Sequence, residues 1–233
     1  MSINLVMGRC QAVCAVTMLF ALSTLSGASL TGRVRVTKGL TRKKVSLTQV
    51  YERAAALPAP NPESGSLGEE LSRVVVYLEG NLPSPTPAHA QMNQTKRRFE
   101  PEVLAIPAGS TVAFPNSDPI FHNVFSLSKT KSFDLGNYPK GQSRTVQFDT
   151  PGTVLLHCHL HPNMTAAIVV APSRYFVQPG ATGNFELSGV PPGRYTAVAW
   201  HKSAGFFRRK IELKENTPTI LDFEIPLAEA SAR

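Results

Sequence analysis

At 233 residues, with 42% hydrophobic and 17% charged side chains, the chain is long enough for one or two domains with real cores and too apolar to be disordered. Nineteen prolines and sixteen glycines, set between short alternating runs, favour an all-β architecture rich in turns. The net charge of +8 comes without aromatic interleaving or a nucleic-acid motif, which argues against a DNA or RNA partner.

Residues 1–28 read as a leader. Arg9 supplies one positive charge, residues 13–25 form an apolar run broken by Thr17, Ser23 and Thr24, and Ser26-Gly27-Ala28 offers small residues for cleavage. The run is short for a membrane span, so export to a periplasmic or secreted location is expected, with membrane association if the segment stays attached. No integral span is expected in the mature chain. Cleavage would remove Cys10 and Cys14 and leave Cys158 as the one cysteine. A single thiol in an oxidising compartment cannot close an internal disulfide, so it is expected to be buried, metal-bound or reactive.

Residues 30–37 (LTGRVRVT) alternate as a half-buried strand, and a basic turn follows. Residues 45–57 have near-helical spacing, and residues 58–68 are loop-like in composition. Residues 73–78 (RVVVYL) are apolar throughout, as in an interior strand. Pro83, Pro85 and Pro87 make residues 80–95 read as an extended linker. From Phe99, strands are predicted at 103–106, 111–114, 120–127, 144–148, 153–157 and 166–170. Turn chemistry stands at Pro107-Ala108-Gly109-Ser110, Asn116-Ser117-Asp118-Pro119 and Asp149-Thr150-Pro151-Gly152, and residues 136–141 read as a loop. A last group of strands is predicted at 185–188, 195–201, 207–213 and 219–225.

Chemistry concentrates at residues 157–164, His157-Cys158-His159-Leu160-His161-Pro162-Asn163-Met164. A thiolate, an imidazole and a thioether at Cys158, His161 and Met164 are three of the four ligands of a mononuclear copper site, and one short loop can wrap them around one ion. Pro162 stiffens that loop. A fourth ligand must come from elsewhere, and His122 is the one histidine of the same β block outside the cluster. Asn123, beside it, is placed to hydrogen-bond across to the other ligand loop. His157 and His159 flank Cys158, so on an extended chain both point away from its side chain.

The stretch from Phe99 to Val170 resembles the cupredoxins. The likeness rests on Phe99-x-Pro101, Pro107-Ala108-Gly109-Ser110-Thr111-Val112, Asn116-x-Asp118-x3-His122-Asn123-Val124, Phe148-x2-Pro151-Gly152 and Cys158-x2-His161-x2-Met164. The short ligand loop is similar to that of amicyanin. The resemblance implies a Greek-key β-sandwich with copper bound by His122, Cys158, His161 and, axially, Met164. Gly32-x-Val34, the run from Val74 to Glu79, and Phe185-x-Leu187-x-Gly189-Val190-Pro191-Pro192-Gly193-x-Tyr195 resemble a carboxypeptidase-regulatory, transthyretin-like β-sandwich, a module without catalytic residues. The resulting division is a leader over 1–28, first strands of the outer sandwich over 29–80, a linker over 81–98, the cupredoxin over 99–171 and the remaining outer strands over 172–233. The whole is similar to exported proteins labelled as methylamine-utilisation proteins.

Three roles are expected from this. The first is a non-enzymatic one-electron carrier with a protein redox partner. The second is copper storage, delivery or sensing, with the outer sandwich docking to a surface or partner. The third is an oxidase or reductase with a second copper at His157 and His159, for which the chain has few further histidines. The basic residues at 33–44, 96–98 and 208–210 are either solvated faces or a means of steering toward an acidic partner or an anionic surface.

Overall fold

The computed structural model describes residues 27–40 and 66–226. The described residues begin with β1 (Ala28–Val36), and α1 (Leu67–Leu71) and β2 (Val74–Glu79) are the next described elements. Next come β3 (His89–Gln91), β4 (Asn93–Thr95), β5 (Arg98–Glu100), β6 (Val103–Pro107), β7 (Ser110–Pro115), β8 (His122–Ser128), β9 (Lys131–Tyr138), β10 (Ser143–Phe148), β11 (Gly152–His157) and β12 (Thr165–Ala171). The last described elements are β13 (Phe176–Val177), β14 (Asn184–Val190), β15 (Gly193–His201), β16 (Gly205–Leu213), β17 (Pro218–Ile220) and β18 (Phe223–Ile225).

Among the described residues, four of the five sheets stack in four layers, and the fifth is the β4-β5 hairpin. Sheet β6-β12-β11-β8-β9 faces sheet β10-β7-β3, and between β6 and β11 the chain crosses from one to the other four times, the connectivity of a Greek-key sandwich. A second sandwich is built from strands on either side of the first. Sheet β13-β2-β15-β16 faces β14-β1-β17, with β18 also on β1. The first sandwich is therefore inserted between β2 and β13, whose register joins Val76 and Tyr77 to Val177 and Phe176.

Period-two alternation explains how the layers hold together. Along β2, Val74, Val76 and Leu78 enter the core of the second sandwich, while Val75 and Tyr77 face the other way. Along β12, Ala166, Ile168 and Val170 enter the core of the first sandwich, while Ala167 and Val169 face out of it. The outward sets meet, with Val103, Val198 and Trp200, in a third apolar layer between the sandwiches. Both β2 and β12 are thus buried on both faces, which is why each reads as a continuous apolar run.

Several expectations change. The segment expected to be an extended linker contains β3 and β4. β3 pairs with β7, β4 makes a hairpin with β5, and Met92 between them is fully buried in the first core. The proline pattern that suggested a linker stops at Pro87. The loop expected at 136–141 overlaps β9, an edge strand with mostly exposed or half-buried residues and so a weak apolar signal. The single strand expected at 219–225 is two, because Leu221 and Asp222 turn toward β1. The Leu221 amide donates to the Thr31 carbonyl (2.9 Å), and the Arg33 amide donates to the Asp222 carboxylate (2.9 Å). A Cβ on Gly32 would collide with the Leu221 carbonyl, so this crossing needs glycine. α1 was not expected, and Ser66 caps it by accepting from the Glu69 amide (3.2 Å). The helix expected at 45–57 and residues 1–26 of the expected leader lie outside the described residues. Ala28 is buried and pairs with Val190 at the start of β1. No helix among the described residues is long and apolar enough to cross a membrane.

Candidate metal centre

His122 opens β8 and is fully buried. The turn before it is built on Asn116, whose side-chain amide donates to the carbonyls of Ile120 (2.8 Å) and Tyr138 (3.0 Å) and whose Oδ1 accepts from the Asp118 amide (3.0 Å). Asp118 is thereby aimed at His122, with its Oδ2 2.8 Å from Nε2. The same carboxylate accepts from the backbone amides of Lys96 (2.6 Å) and Arg97 (2.8 Å), the two residues of the β4–β5 turn. Both have positive φ, 51° and 56°, a conformation that disfavours side chains with a Cβ. The carboxylate offsets that strain with two charge-assisted hydrogen bonds. Burial opposes ionisation of Asp118, but the Arg97 amide, His122 and the Lys96 amide outweigh it and hold its carboxyl below the usual carboxylate range.

Cys158 follows β11, is buried, and sits in the same apolar core as Met164 at the far end of the loop. Its sulfur accepts from the Asn123 amide (3.4 Å). The Met164 amide donates to the His161 carbonyl (2.8 Å), closing the loop on itself. His161 is half-buried, and its pKa is lowered by burial, then by His122 and Arg97, which favours the neutral imidazole a metal needs.

The donors converge. His122 Nδ1 lies 3.1 Å from His161 Nδ1, and Cys158 Sγ lies 3.9 Å from the first and 3.6 Å from the second. With metal–nitrogen bonds of about 2.0 Å and metal–sulfur bonds of about 2.3 Å, two nitrogens on one ion cannot be more than about 4 Å apart, nor nitrogen and sulfur more than about 4.3 Å. All three separations fall inside those limits. The donor set of two imidazoles and a thiolate, with a buried thioether on the same loop, fits a copper ion.

Asn123 joins the two ligand segments as expected. Besides its amide on Cys158, its Oδ1 accepts from the His159 amide (3.4 Å), and its Nδ2 donates to Asp134 (2.6 Å). His157 and His159 are not brought to the cluster. The His159 ring is exposed, stacks on Phe125 at 3.8 Å and pairs with Asp134 at 3.4 Å, while the His157 ring lies 5.6 Å from Phe125. Asp118 was visible in sequence as turn chemistry only. A carboxylate four residues before a candidate ligand histidine was the signal for its further contact with the ring.

No family model matches the chain, and no curated protein matches it. Among solved structures, the chain is similar to a purple cupredoxin from Nitrosopumilus maritimus (24% identity, TM-score 0.32, 35% of this chain and 99% of that one). It is similar to a copper-containing nitrite reductase from Thermus scotoductus (24% identity, TM-score 0.35, 40% of this chain and 25% of that one). It is also similar to an amicyanin variant in its Cu(I) form (22% identity, TM-score 0.34, 41% of this chain and 97% of that one).

Proposed function

We propose that the chain is an exported cupredoxin that holds one type 1 copper through His122, Cys158, His161 and Met164 and passes single electrons to a protein partner. The observation that carries this reading is the convergence of two imidazole Nδ1 atoms and one sulfur within 4.8 Å of one another. Bound copper would supply one-electron exchange between Cu(I) and Cu(II), which a soft thiolate with neutral imidazoles accommodates in both states.

The chain's own residues prepare that chemistry. Asp118 accepts the Nε2 proton of His122 and so leaves Nδ1 as a lone pair facing the other donors. Asn123 places a backbone N–H 3.4 Å from the sulfur, which fixes where the sulfur points. The β-sandwich keeps His122, Cys158 and Met164 dry, so little solvent has to reorganise when charge changes. His161 is the half-buried edge of the set and the natural route for an electron. In this reading no residue acts as a catalytic acid or base, and His157 and His159 hold no second copper, in keeping with their contacts to Phe125 and Asp134.

The outer strands, read as a transthyretin-like module, would carry the copper domain to its place outside the cytoplasm. Lys96, Arg97 and Arg98 are exposed beside Asp118 and would favour an acidic partner. Storage or delivery is the competing role. Spectroelectrochemistry of the copper-loaded protein separates the two: a reversible midpoint with fast exchange is expected, and sluggish or irreversible behaviour would turn the assignment toward storage. A colourless Cu(II) adduct would remove the type 1 assignment itself.

A further inference from the structure

We propose that Lys202, which belongs to the second sandwich, is a positioning residue for the metal loop of the first, holding the residue that follows Met164. The inference rests on the copper reading above for its spectroscopic consequence, but its structural part stands without it.

Lys202 occupies the turn between β15 and β16, and its side chain is 13% exposed. Its ammonium donates to the Thr165 carbonyl (3.1 Å), to the Thr165 hydroxyl (3.1 Å) and to Glu102 (2.5 Å). Three donors therefore meet three acceptors, which uses the full capacity of a lysine. The second Glu102 oxygen accepts from Arg73 Nε (3.0 Å), and the Lys202 amide donates to the Arg73 carbonyl (3.2 Å), closing a ring of contacts. The Glu102 carbonyl accepts from the Ala167 amide (3.0 Å), tying the ring to β12 two residues beyond Thr165. Burial opposes ionisation of Glu102, and Lys202 and Arg73 outweigh it.

Position in the chain makes this more than an interface ion pair. Thr165 is paired with His157 at the mouth of the loop, and Met164 is its immediate neighbour. The other end of the loop is held within the first sandwich by Asn123 on Cys158 and His159. Among the described residues, the Met164 end is the one held from outside, by Lys202. Met164 would supply the thioether that tunes a type 1 copper, so fixing where β12 starts fixes where that thioether can reach. The second sandwich thereby becomes part of the metal site's support.

The test compares wild type with Lys202→Met, which keeps the stem and removes the ammonium, and with Lys202→Arg as the conservative replacement. In the metal-free proteins, amide exchange at Met164 and Thr165 is expected to rise roughly tenfold in Lys202→Met relative to β9, and to return toward wild type in Lys202→Arg. In the copper-loaded proteins, the relative intensity of the two thiolate charge-transfer bands should change in Lys202→Met at unchanged copper stoichiometry. Unchanged exchange and unchanged bands in a folded Lys202→Met protein would overturn the proposal. If that variant does not fold, Lys202→Gln, shorter and uncharged but still polar, takes its place, and unaltered loop exchange and bands there would equally overturn the proposal. Absence of a thiolate band in wild type would remove the copper reading and leave the exchange comparison to decide on the clamp.

Discussion

The Nε2 of His122 lies 2.8 Å from Oδ2 of Asp118, and this contact determines which face of the ring is free. An ionised carboxylate only accepts, so Nε2 carries the proton and Nδ1 is left bare toward His161 and Cys158. One side chain thus sets the tautomer of His122 and anchors the left-handed Lys96-Arg97 turn.

Replacing Asp118 by alanine should therefore do two separable things. Copper affinity should fall by about ten- to a hundredfold, as when the partner of a ligating imidazole is lost. Stability of the metal-free protein should fall by roughly 1–3 kcal/mol, because two turn amides lose their acceptor. Asp118→Asn retains an acceptor and should recover more of the stability than of the affinity. Competition titration and urea melts read the two effects, and equal recovery of both would contradict the separation.

Cys158→Ser should abolish the thiolate band of the Cu(II) protein. The substitution also reaches the fold, because Cys158 is 3% exposed and packs with Met164, Val124 and Tyr138. Serine places a hydroxyl in that apolar core, and a loss of roughly 1–3 kcal/mol is expected, eased by the Asn123 amide that can still donate to it. Denaturant unfolding of the metal-free variant measures this directly. A wild-type midpoint would mean that the core does not register the sulfur.

Local signals in the sequence sufficed for the parts of the site that lie close in the chain. Cys158, His161 and Met164 share one loop, and Asn123 adjoins His122, so spacing and alternation pointed to them. The division into an inner and an outer sandwich came from the two family resemblances, while the apolar run of β2 pointed only to an interior strand. What could not be read is carried by contacts across long separations between ordinary polar residues. The Asp118 contacts to Lys96 and Arg97 span a segment that looked like a linker, and the Lys202 contact to Thr165 joins two sandwiches through side chains with no motif. The edge strand β9 was missed because exposed residues on an edge need no apolar alternation.

His201 gives the second sandwich a defined pH response. It is fully buried, its Nδ1 accepts from the Ser203 and Ala204 amides (3.1 and 3.2 Å), and its Nε2 donates to Glu70 at 3.1 Å. Burial lowers its pKa, opposed by Glu70 and assisted by Arg73, so the folded state favours the neutral ring. A group depressed on folding contributes its full stability above its unfolded pKa of about 6.5 and loses it as pH falls through the folded value. Wild type should therefore lose stability between pH 7.5 and pH 5 by more than His201→Gln does, with a slope of up to about 1.4 kcal/mol per pH unit for this one proton. Urea midpoints across that range test it. An identical pH dependence in the variant would assign the response to other groups.

Trp200, the single tryptophan of the chain, lies in the apolar layer between the sandwiches and is 3% exposed. It packs there with Val75 and Tyr77 of β2 and with Val103, Ala167 and Val169 of the first sandwich. Separating the sandwiches would expose this layer and break the Lys202–Glu102–Arg73 ring together, so neither unit should open alone. Tryptophan emission and the copper thiolate absorbance are therefore expected to be lost in one coincident thermal transition, shifted upward as copper saturates the site. Trp200→Ala should destabilise by roughly 3–5 kcal/mol and, with circular dichroism taking the place of the lost emission, separate the loss of strand signal from that of the copper band, which should survive the loss of the outer layer. Two resolved transitions in wild type would show that the sandwiches are independent and that the middle layer contributes little to either.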